Sequence, residues 1–205
     1  MPIVKISTWQ VSEAHIADST LWTSLAQEIG QAPGCLGVYS GIAEEDGKRF
    51  HSFVVWESLG HYDSFSNSPG FGTLLTAFEQ VRSGPSQSYF VAFNQDFIPA
   101  LSAPTTEILR MSILDGKSTE DLESIVGTIK GRIDSGNEKF APVAWGPIVK
   151  NQEGEDGKQF YLVIGWESVK AHVDFVTEAS FVPLIDSLKE TAALEMFHSH
   201  LTRNV

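Results

Sequence analysis

The sequence has few of the features that secreted or membrane-spanning proteins need. It contains one cysteine, Cys35, in 205 residues, so no disulfide can form within the chain. No apolar run approaches the roughly 20 residues that a membrane-spanning helix requires. The N-terminus shows no charged segment followed by an apolar one. We therefore expect a cytoplasmic protein without a membrane partner.

Basic side chains are scarce as well, with 14 Lys and Arg against 26 Asp and Glu, which leaves a net charge of −12. The deficit is shared: residues 1–97 hold 10 acidic and 4 basic side chains, and residues 105–205 hold 16 and 10. An acidic chain without a basic stripe repels phosphate backbones and anionic lipid headgroups. We therefore expect no nucleic-acid partner.

Several cofactor and nucleophile motifs are also missing. The chain has no Gly-x-Gly-x-x-Gly, no phosphate-binding Gly-x-x-x-x-Gly-Lys-Ser/Thr loop, no Cys-x-x-Cys and no Gly-x-Ser-x-Gly. Cys35 follows a Pro-Gly turn with no neighbouring cation or histidine to lower its pKa, so it is interpreted as structural. Nucleotide cofactors and serine hydrolysis have no support, and we expect no cofactor.

The chain contains a tandem repeat. Residues 46–50 and 156–160 read Asp-Gly-Lys-Arg-Phe and Asp-Gly-Lys-Gln-Phe, and Trp-Glu-Ser follows each of them, at 56–58 and 166–168. The spacing between these copies is 110 residues. The opening strand, residues 3–7, is matched at a spacing of 105 by residues 108–112. Two copies are too few for a solenoid.

Each copy shows the order βαββαβ. Alternating apolar runs indicate strands, Ser12 and Ser58 are helix-start residues, and the Asp-Gly step at 46–47 predicts a hairpin. We assign repeat one to residues 1–97, an extended linker to 98–104 and repeat two to 105–205. An antiparallel four-stranded sheet with both helices on one face leaves the other face uncovered. The predicted fold class is therefore α+β, with two ferredoxin-like repeats packed as an intramolecular dimeric α/β barrel, and the chain is expected to be a monomer.

The repeats resemble the antibiotic biosynthesis monooxygenase-like members of the dimeric α+β barrel superfamily. In that family a strand ends in Trp-Glu-Ser and runs into a helix that is followed by a Ser-Pro-x-Phe-like break, which stands here at 68–71 and, as Ala-Ser-Phe, at 179–181. The resemblance covers nearly the whole chain. It implies the fold, while the chemistry varies, because superfamily members include cofactor-free oxygenases, heme-degrading enzymes, polyketide cyclases and proteins without known activity.

The chain departs from the family at informative positions. Many members place a histidine nine residues after the tryptophan, where Phe65 and Phe175 stand here. Heme-degrading relatives place an iron-binding histidine nineteen residues after it, where Leu75 and Ile185 stand, so the usual heme ligand is missing. A cofactor-free oxygenase pattern pairs the tryptophan with a tyrosine six residues later. Trp56 with Tyr62 matches this pattern in repeat one, and repeat two has His172 there.

His61, Tyr62 and Trp56 are therefore the candidate catalytic residues, at the predicted entry to the second helical region. A neutral imidazole there is suited to remove an acidic proton from a phenol or a 1,3-dicarbonyl compound, because its pKa lies near the working pH. The resulting carbanion can react with oxygen or cyclise. The alternative is a histidine exposed at a helix start.

His198 and His200 are the candidate metal ligands. They are one residue apart on the predicted last strand, so both imidazoles would share one face. Two ligands are half of a metal site, and spacing identifies no third. Repeat one has Val91 and Phe93 at the equivalent places, so the pair would belong to repeat two only. The alternative is a polar pocket wall or an interface.

Aromatic side chains supply the remaining candidates. Trp56 and Trp166 occupy matched positions, which fits a structural role at the strand–helix junction. Trp145 and Tyr39 are unmatched between copies and, with His172 and Trp166, are the candidate substrate-binding residues for a small apolar or aromatic molecule. Ordinary core packing is the alternative for each.

Three functions stay open on this basis. The first is a cofactor-independent monooxygenase or cyclase acting on an aromatic or polyketide-like substrate. The second is a non-catalytic barrel that binds an apolar ligand or serves in a stress response. The third is a metal- or heme-dependent enzyme that uses His198 and His200.

Overall fold

The computed structural model describes residues 2–151 and 157–205, and these residues form two compact units. The first unit holds the described residues of 1–92, 149–154 and 202–205, and the second holds those of 93–148 and 155–201. The second unit therefore begins at Phe93, before the predicted linker. Two short segments of the second repeat, within 149–154 and 202–205, belong to the first unit. Asp156 of the repeated Asp-Gly motif lies outside the described residues.

The first unit has the predicted βαββαβ order, and its first helical region consists of two helices. Its four long strands pair antiparallel in the order β4-β1-β3-β2, which is the ferredoxin-like arrangement. The elements are β1 (Ile3–Val11), α1 (Glu13–Ala17), α2 (Thr20–Gly30), β2 (Cys35–Ile42), β3 (Arg49–Trp56), α3 (Leu59–Ser66), α4 (Phe71–Val81) and β4 (Arg82–Val91).

The second unit repeats this arrangement, with strands in the order β8-β5-β7-β6. A 3₁₀ turn, Glu138–Phe140, follows its first long helix. The elements are α5 (Ile98–Leu101), β5 (Thr105–Ile113), α6 (Thr119–Gly136), β6 (Ala144–Asn151), β7 (Gln159–Trp166), α7 (Val169–Val176), α8 (Val182–Thr191) and β8 (Ala192–Ser199). A last short strand, β9 (Thr202–Arg203), pairs with β2 of the first unit.

A glycine holds the hairpin turn that the sequence predicts at 46–47. Gly47 has φ of 62°, a left-handed conformation that costs glycine little and other residues more. The expected break in the second helical region of repeat one is also present, since α3 ends at Ser66 and α4 begins at Phe71. The break expected at 179–181 in repeat two is present too, since α7 ends at Val176 and α8 begins at Val182. These local predictions are confirmed.

Two local predictions are wrong. The linker 98–104 is not extended throughout, because residues 98–101 form α5 and bury Ala100 and Leu101 completely. The last long strand, β8, ends at Ser199, so His200 does not lie on it.

Each unit packs its helices on one face of its own sheet. Amphipathic spacing explains the packing: α6 buries Leu122, Val126, Ile129 and Ile133, which recur every three or four residues along one side. Each such side chain contributes roughly 2 kcal/mol when it is fully buried. In the first unit, tryptophans supply much of the core, and Trp22, Leu25 and Ala26 of α2 face Trp9 and Trp56.

The α+β class with ferredoxin-like repeats is confirmed. The packing of the repeats into a barrel and the monomeric state stay predictions. Among the described residues, no helix combines the length and the apolar character that crossing a membrane requires.

Candidate functional site

A cleft of about 490 Å³ lies between the sheet and the helices of the first unit. Its floor comes from alternate residues of β1, which project from one face of the sheet, together with β3 and β4. Its walls come from α2, α3 and α4. The side chains used below are Lys5, Ser7, Ser52, Trp56, Tyr62, Ser88, Phe90 and Lys150.

The floor of the cleft has one row of three serines, and the neighbouring row combines a lysine with two apolar side chains. Ser7 pairs in register with Ser52 on one side and with Ser88 on the other, and the Ser7 and Ser88 hydroxyls are 2.9 Å apart. Two residues earlier, Lys5 pairs with Val54 and with Phe90. A ligand on this floor therefore meets a row of hydroxyls beside one amine.

Lys5 has unusual surroundings for a lysine. Burial lowers its pKa from 10.5 to about 8, because desolvation penalises the charged ammonium. Its Nζ lies 5.0 Å from the centroid of the Tyr62 ring. Within the described part of the chain it makes no hydrogen bond or ion pair. Near pH 8 a large fraction of the molecules therefore carries Lys5 as the neutral amine. The neutral amine has a lone pair that can accept a proton.

Tyr62 and Trp56 meet in the cleft, as the sequence predicts. Their ring centroids are 5.8 Å apart, and Tyr62 also packs edge-on to Phe90 at 4.6 Å. Burial and the neighbouring carboxylate of Asp63 raise the pKa of the Tyr62 phenol, so Tyr62 is protonated at neutral pH. Ser58 caps α3 through the backbone N–H of His61 and thereby sets where Tyr62 enters the cleft.

His61 lies outside the lining of this cleft. Its Nδ1 is 3.0 Å from the Ser58 hydroxyl and its Nε2 is 3.4 Å from Glu57, with 41% of the side chain exposed. The imidazole packs over Gly34, where an added Cβ would come within 2.3 Å of the ring. The structure thus places Tyr62 in the cleft and its neighbour His61 on the surface, because consecutive helical residues point in different directions.

A cation lies at the rim of the cleft. Lys150 Nζ is 3.1 Å from Asp63, and it stands 5.5 Å from the centroid of Phe90 and 5.9 Å from that of Tyr62. Nearly half of each partner in this ion pair is exposed, so the pair contributes little to stability.

The second unit has a polar cluster at the corresponding place. His198 Nε2 is 2.8 Å from His172 Nδ1, and His172 Nε2 is 3.5 Å from Glu107 Oε2. The indole N–H of Trp166 donates to that same carboxylate oxygen at 2.8 Å. Glu107, His172 and His198 are all buried. Burial lowers the pKa of His172; Glu107 opposes that shift and His198 adds to it.

This cluster borders a cavity of about 390 Å³. Glu107 and His172 stand at one end of it, and the other described lining residues are apolar except Lys189. An apolar molecule fits such a lining, with its polar end towards Glu107 and His172.

Strand register shows which residues of the two units correspond. Lys5 pairs with the residue two before Trp56, and Glu107 pairs with the residue two before Trp166. On the other side, Lys5 pairs with Phe90 and Glu107 with His198. Lys5, Tyr62 and Phe90 of the first unit therefore correspond to Glu107, His172 and His198 of the second.

Two equivalences inferred from the sequence are thereby corrected. The opening strands correspond at a spacing of 102, not 105, because Ile3 pairs with Trp56 as Thr105 pairs with Trp166. His198 corresponds to Phe90 and not to Val91. The tryptophans also differ in their partners. Among the described residues Trp56 Nε1 has no acceptor, whereas Trp166 Nε1 has Glu107.

Comparison with known proteins gives one family match and several structures of the same fold. Residues 3–76, from β1 into α4, match the family model described as antibiotic biosynthesis monooxygenase. The first repeat is therefore similar to that family over these residues, and it is called the ABM domain below, after the model that it matches. No curated protein matches the sequence.

Three solved structures resemble the chain over nearly its full length. A monooxygenase candidate from Lactobacillus acidophilus NCFM is 12% identical, with 100% of this chain and 94% of that chain covered and a TM-score of 0.63. A second candidate, from Fusobacterium nucleatum, is 12% identical, with 98% and 93% covered and a TM-score of 0.68. An anthrone oxidase-like protein is 11% identical, with 99% and 93% covered and a TM-score of 0.66. Identities this low show a shared fold.

The remaining predicted ligand-binding residues are divided between cavity and core. In the second unit Trp166 packs 5.1 Å from His172, which lines the cavity. Trp145 packs on Phe160 at 5.7 Å in the core of that unit, away from the described cavity lining. Tyr39 of the ABM domain is buried beneath Arg203 and lies outside the cleft. Trp145 and Tyr39 thus occupy core positions, which is the alternative to ligand binding.

The predicted His198–His200 pair is not formed. β8 ends at Ser199, so His200 leaves the sheet, is exposed, and lies 2.7 Å from the carbonyl oxygen of Pro104 through its Nδ1. His198 stays buried and meets His172 and Glu107 instead. The alternation on which the pair was predicted holds only inside a strand.

Lys5 and Glu107 are the site residues that sequence reasoning missed. One signal was available for Lys5: strand alternation places it on the same face as Ser7 and Trp9, next to Trp56. A charged residue on the inward face of a strand is unusual and marks a candidate site. The same signal was available for Glu107, because alternation places it on the same face of β5 as Leu109 and Met111, which belong to the core.

Proposed function

We propose that the ABM domain of this chain is a cofactor-independent oxygenase or cyclase acting on an aromatic or polyketide-like small molecule, with Lys5 as the general base. The observation that carries this proposal is the lowered pKa of the half-buried Lys5 amine, which has no hydrogen-bond or ion-pair partner among the described residues and lies in an aromatic-lined cleft. A general base works best when its pKa lies near the working pH.

The roles follow from position. Neutral Lys5 takes a proton from a CH₂ group activated by aromatic rings or carbonyls, and the ammonium formed stays beside the carbanion. Trp56, Tyr62 and Phe90 hold the planar substrate by ring packing. Protonated Tyr62 donates a hydrogen bond to a substrate oxygen. Proton removal is assigned to Lys5 instead of His61, because His61 does not line the cleft.

The oxygenase reaction balances with O₂ as the only co-reactant. The carbanion passes its electron pair to O₂, a C–O bond forms, and Lys5 returns its proton to give a hydroperoxide. Loss of the second C–H proton breaks the O–O bond and releases water, so R₂CH₂ and O₂ become R₂C=O and H₂O. In the cyclase reaction the same carbanion attacks a ketone of its own chain, and Lys5 protonates the alkoxide.

Oxygen uptake with a panel of tricyclic anthrones and 1,3-diketones tests the proposal. We expect turnover of at least one panel member, with a rate that rises with pH around the pKa of Lys5, about 8, because the neutral amine is the active form. Lys5→Met is expected to lower kcat by about 100-fold or more. Lys48→Met removes an exposed lysine from the hairpin turn and serves as the matched control.

Two outcomes would count against this function. Full turnover by Lys5→Met would remove Lys5 from the mechanism. Tight binding of panel members without oxygen uptake or cyclisation would favour a non-catalytic barrel that stores or carries an apolar ligand.

A further inference from the structure

The buried Glu107–His172–His198 cluster of the second unit has no part in the function proposed for the ABM domain. Its side chains offer one carboxylate oxygen and two imidazole nitrogens, and one donor atom from each lies within 4.8 Å of the others. All three residues come from different elements, β5, α7 and β8. The fold therefore brings them together without any sequence motif.

The ferredoxin-like repeat does not itself require such a cluster. At the corresponding positions the first unit has Lys5, Tyr62 and Phe90, which cannot jointly bind a cation, and it folds in the same way. A buried carboxylate beside two imidazoles carries a desolvation cost that an aromatic cluster avoids. A function that uses the three donors explains why one repeat has them.

We infer that Glu107, His172 and His198 form a binding site for a divalent transition-metal ion such as Zn²⁺, Fe²⁺ or Co²⁺. Imidazole nitrogens with one carboxylate are a common ligand set for these ions, and they leave coordination positions open. The bound ion neutralises the buried carboxylate.

The short His172–His198 contact is compatible with this site. A separation of 2.8 Å between two ring nitrogens means that they share a proton. Nitrogens that ligate one tetrahedral ion are about 3.3 Å apart, given metal–nitrogen distances near 2.0 Å. Metal binding thus replaces the shared proton and moves these two nitrogens apart by about half an ångström. Glu107, whose Oε2 lies 3.5 Å from the other ring nitrogen of His172, has to turn towards the same ion.

A hydrogen bond from Trp166 orients the carboxylate of Glu107, and a cavity lies beside the site. The Trp166 N–H holds Glu107 Oε2 at 2.8 Å, in the way that outer partners commonly orient metal ligands. Glu107 and His172 both border the 390 Å³ cavity. An open coordination position therefore faces an apolar pocket, where it can bind the oxygen of an apolar ligand or a water molecule.

Co²⁺ titration of the metal-free full chain tests the site. We expect one Co²⁺ per chain, with visible d–d absorption of low-coordinate geometry, displacement by Zn²⁺, and a rise in Tm with added Zn²⁺. Glu107→Gln keeps the shape of the side chain and an acceptor for Trp166. It is expected to weaken Zn²⁺ binding by about 100-fold.

His198→Phe introduces the residue that the first unit has at this place and should abolish binding, with folding checked by circular dichroism. His200→Ala is the matched control and should bind as the parent chain does, because His200 is exposed and lies outside the cluster. Absence of Co²⁺ absorption and of any Zn²⁺-dependent rise in Tm in the parent chain would overturn the proposal. So would binding that is lost in His200→Ala and kept in Glu107→Gln.

Discussion

Burial lowers the pKa of two side chains on neighbouring strands, His51 and Lys5. His51 of β3 is a histidine whose pKa burial lowers to about 4, with the nearby Arg49 adding to the shift. Lys5 of β1 is a lysine whose pKa burial lowers to about 8. In both, the charged form is disfavoured by desolvation. The lowered pKa of His51 therefore affects stability in mildly acidic solution, and that of Lys5 affects it in mildly alkaline solution.

We expect acid to destabilise the protein between about pH 6.5 and pH 4 in part through His51. Over that range the unfolded chain binds a proton on His51 that the folded chain does not, so the free energy of unfolding falls as pH falls. His51→Gln should reduce this loss by up to about 3 kcal/mol. Urea denaturation at pH 7 and pH 4.5 measures it. Exposed His200→Gln should leave the loss unchanged, and equal losses in the His51 variant and the parent would contradict the prediction.

We expect Lys5→Met to raise the free energy of unfolding at pH 7 by roughly 2 to 3 kcal/mol, since burial of the ammonium no longer opposes folding. The folded pKa of Lys5 lies below its unfolded value of 10.5, so the parent regains stability as pH rises from about 8 towards 10.5. The advantage of the variant should shrink over that range. A gain that is the same at pH 7 and pH 10 would show that Lys5 is not buried as a charge.

Among the elements, helix starts are the most readable from sequence. Ser12, Ser58, Ser118 and Ser168 each precede a helix and accept a hydrogen bond from a backbone N–H three residues on. The capping residue fixes where a helix begins, and hence which side chains face the sheet. Strand ends are less readable. Nothing local to Ser199 and His200 marks the end of β8, which depends on pairing with β5.

At Ser118 the cap is doubled. Its hydroxyl accepts from the Asp121 backbone N–H, and the Asp121 carboxylate accepts from the Ser118 backbone N–H. We expect Ser118→Ala to lower the free energy of unfolding by about 1 kcal/mol, and Ser118→Thr to restore most of it. Ser124→Ala, at an exposed position inside α6, is the control and should change stability little. Chemical denaturation compares the three, and a loss in Ser124→Ala as large as in Ser118→Ala would contradict the capping account.

At the scale of the whole molecule, the chain ends in the unit where it began. β9 pairs with β2, the Trp22 indole N–H donates to Asn204 Oδ1 at 2.9 Å, and Val205 packs against Gly30. Trp22 lines the cleft of the ABM domain. The last four residues of the chain thus help to support the site proposed at its start.

Deletion of residues 202–205 should therefore destabilise the first unit by about 2 kcal/mol, through lost hydrogen bonds and lost burial of Val205. Metal binding by the second unit should persist. Denaturation followed by tryptophan fluorescence and Co²⁺ titration of the same sample separates the two effects. Unchanged stability on truncation would show that the tail contributes no net energy.

The monomeric state stays a prediction with a direct test. If the two repeats serve each other as partners, no sheet face remains for a second chain, and the protein should behave as one chain of 22.5 kDa. Light scattering after size exclusion measures the mass. A mass near 45 kDa, twice that of one chain, would contradict it.

The sequence by itself determined the tandem repeat, the βαββαβ order, the glycine turn at 47, and the meeting of Trp56 with Tyr62. These follow from local propensity or from residues six positions apart, within one strand–helix junction. Only the tertiary structure decided that Lys5 faces Tyr62 and that Glu107 and His198 meet. Those contacts join residues about 57 and 91 positions apart. They depend on strand register, and a slip of one residue sends every side chain to the opposite face of the sheet.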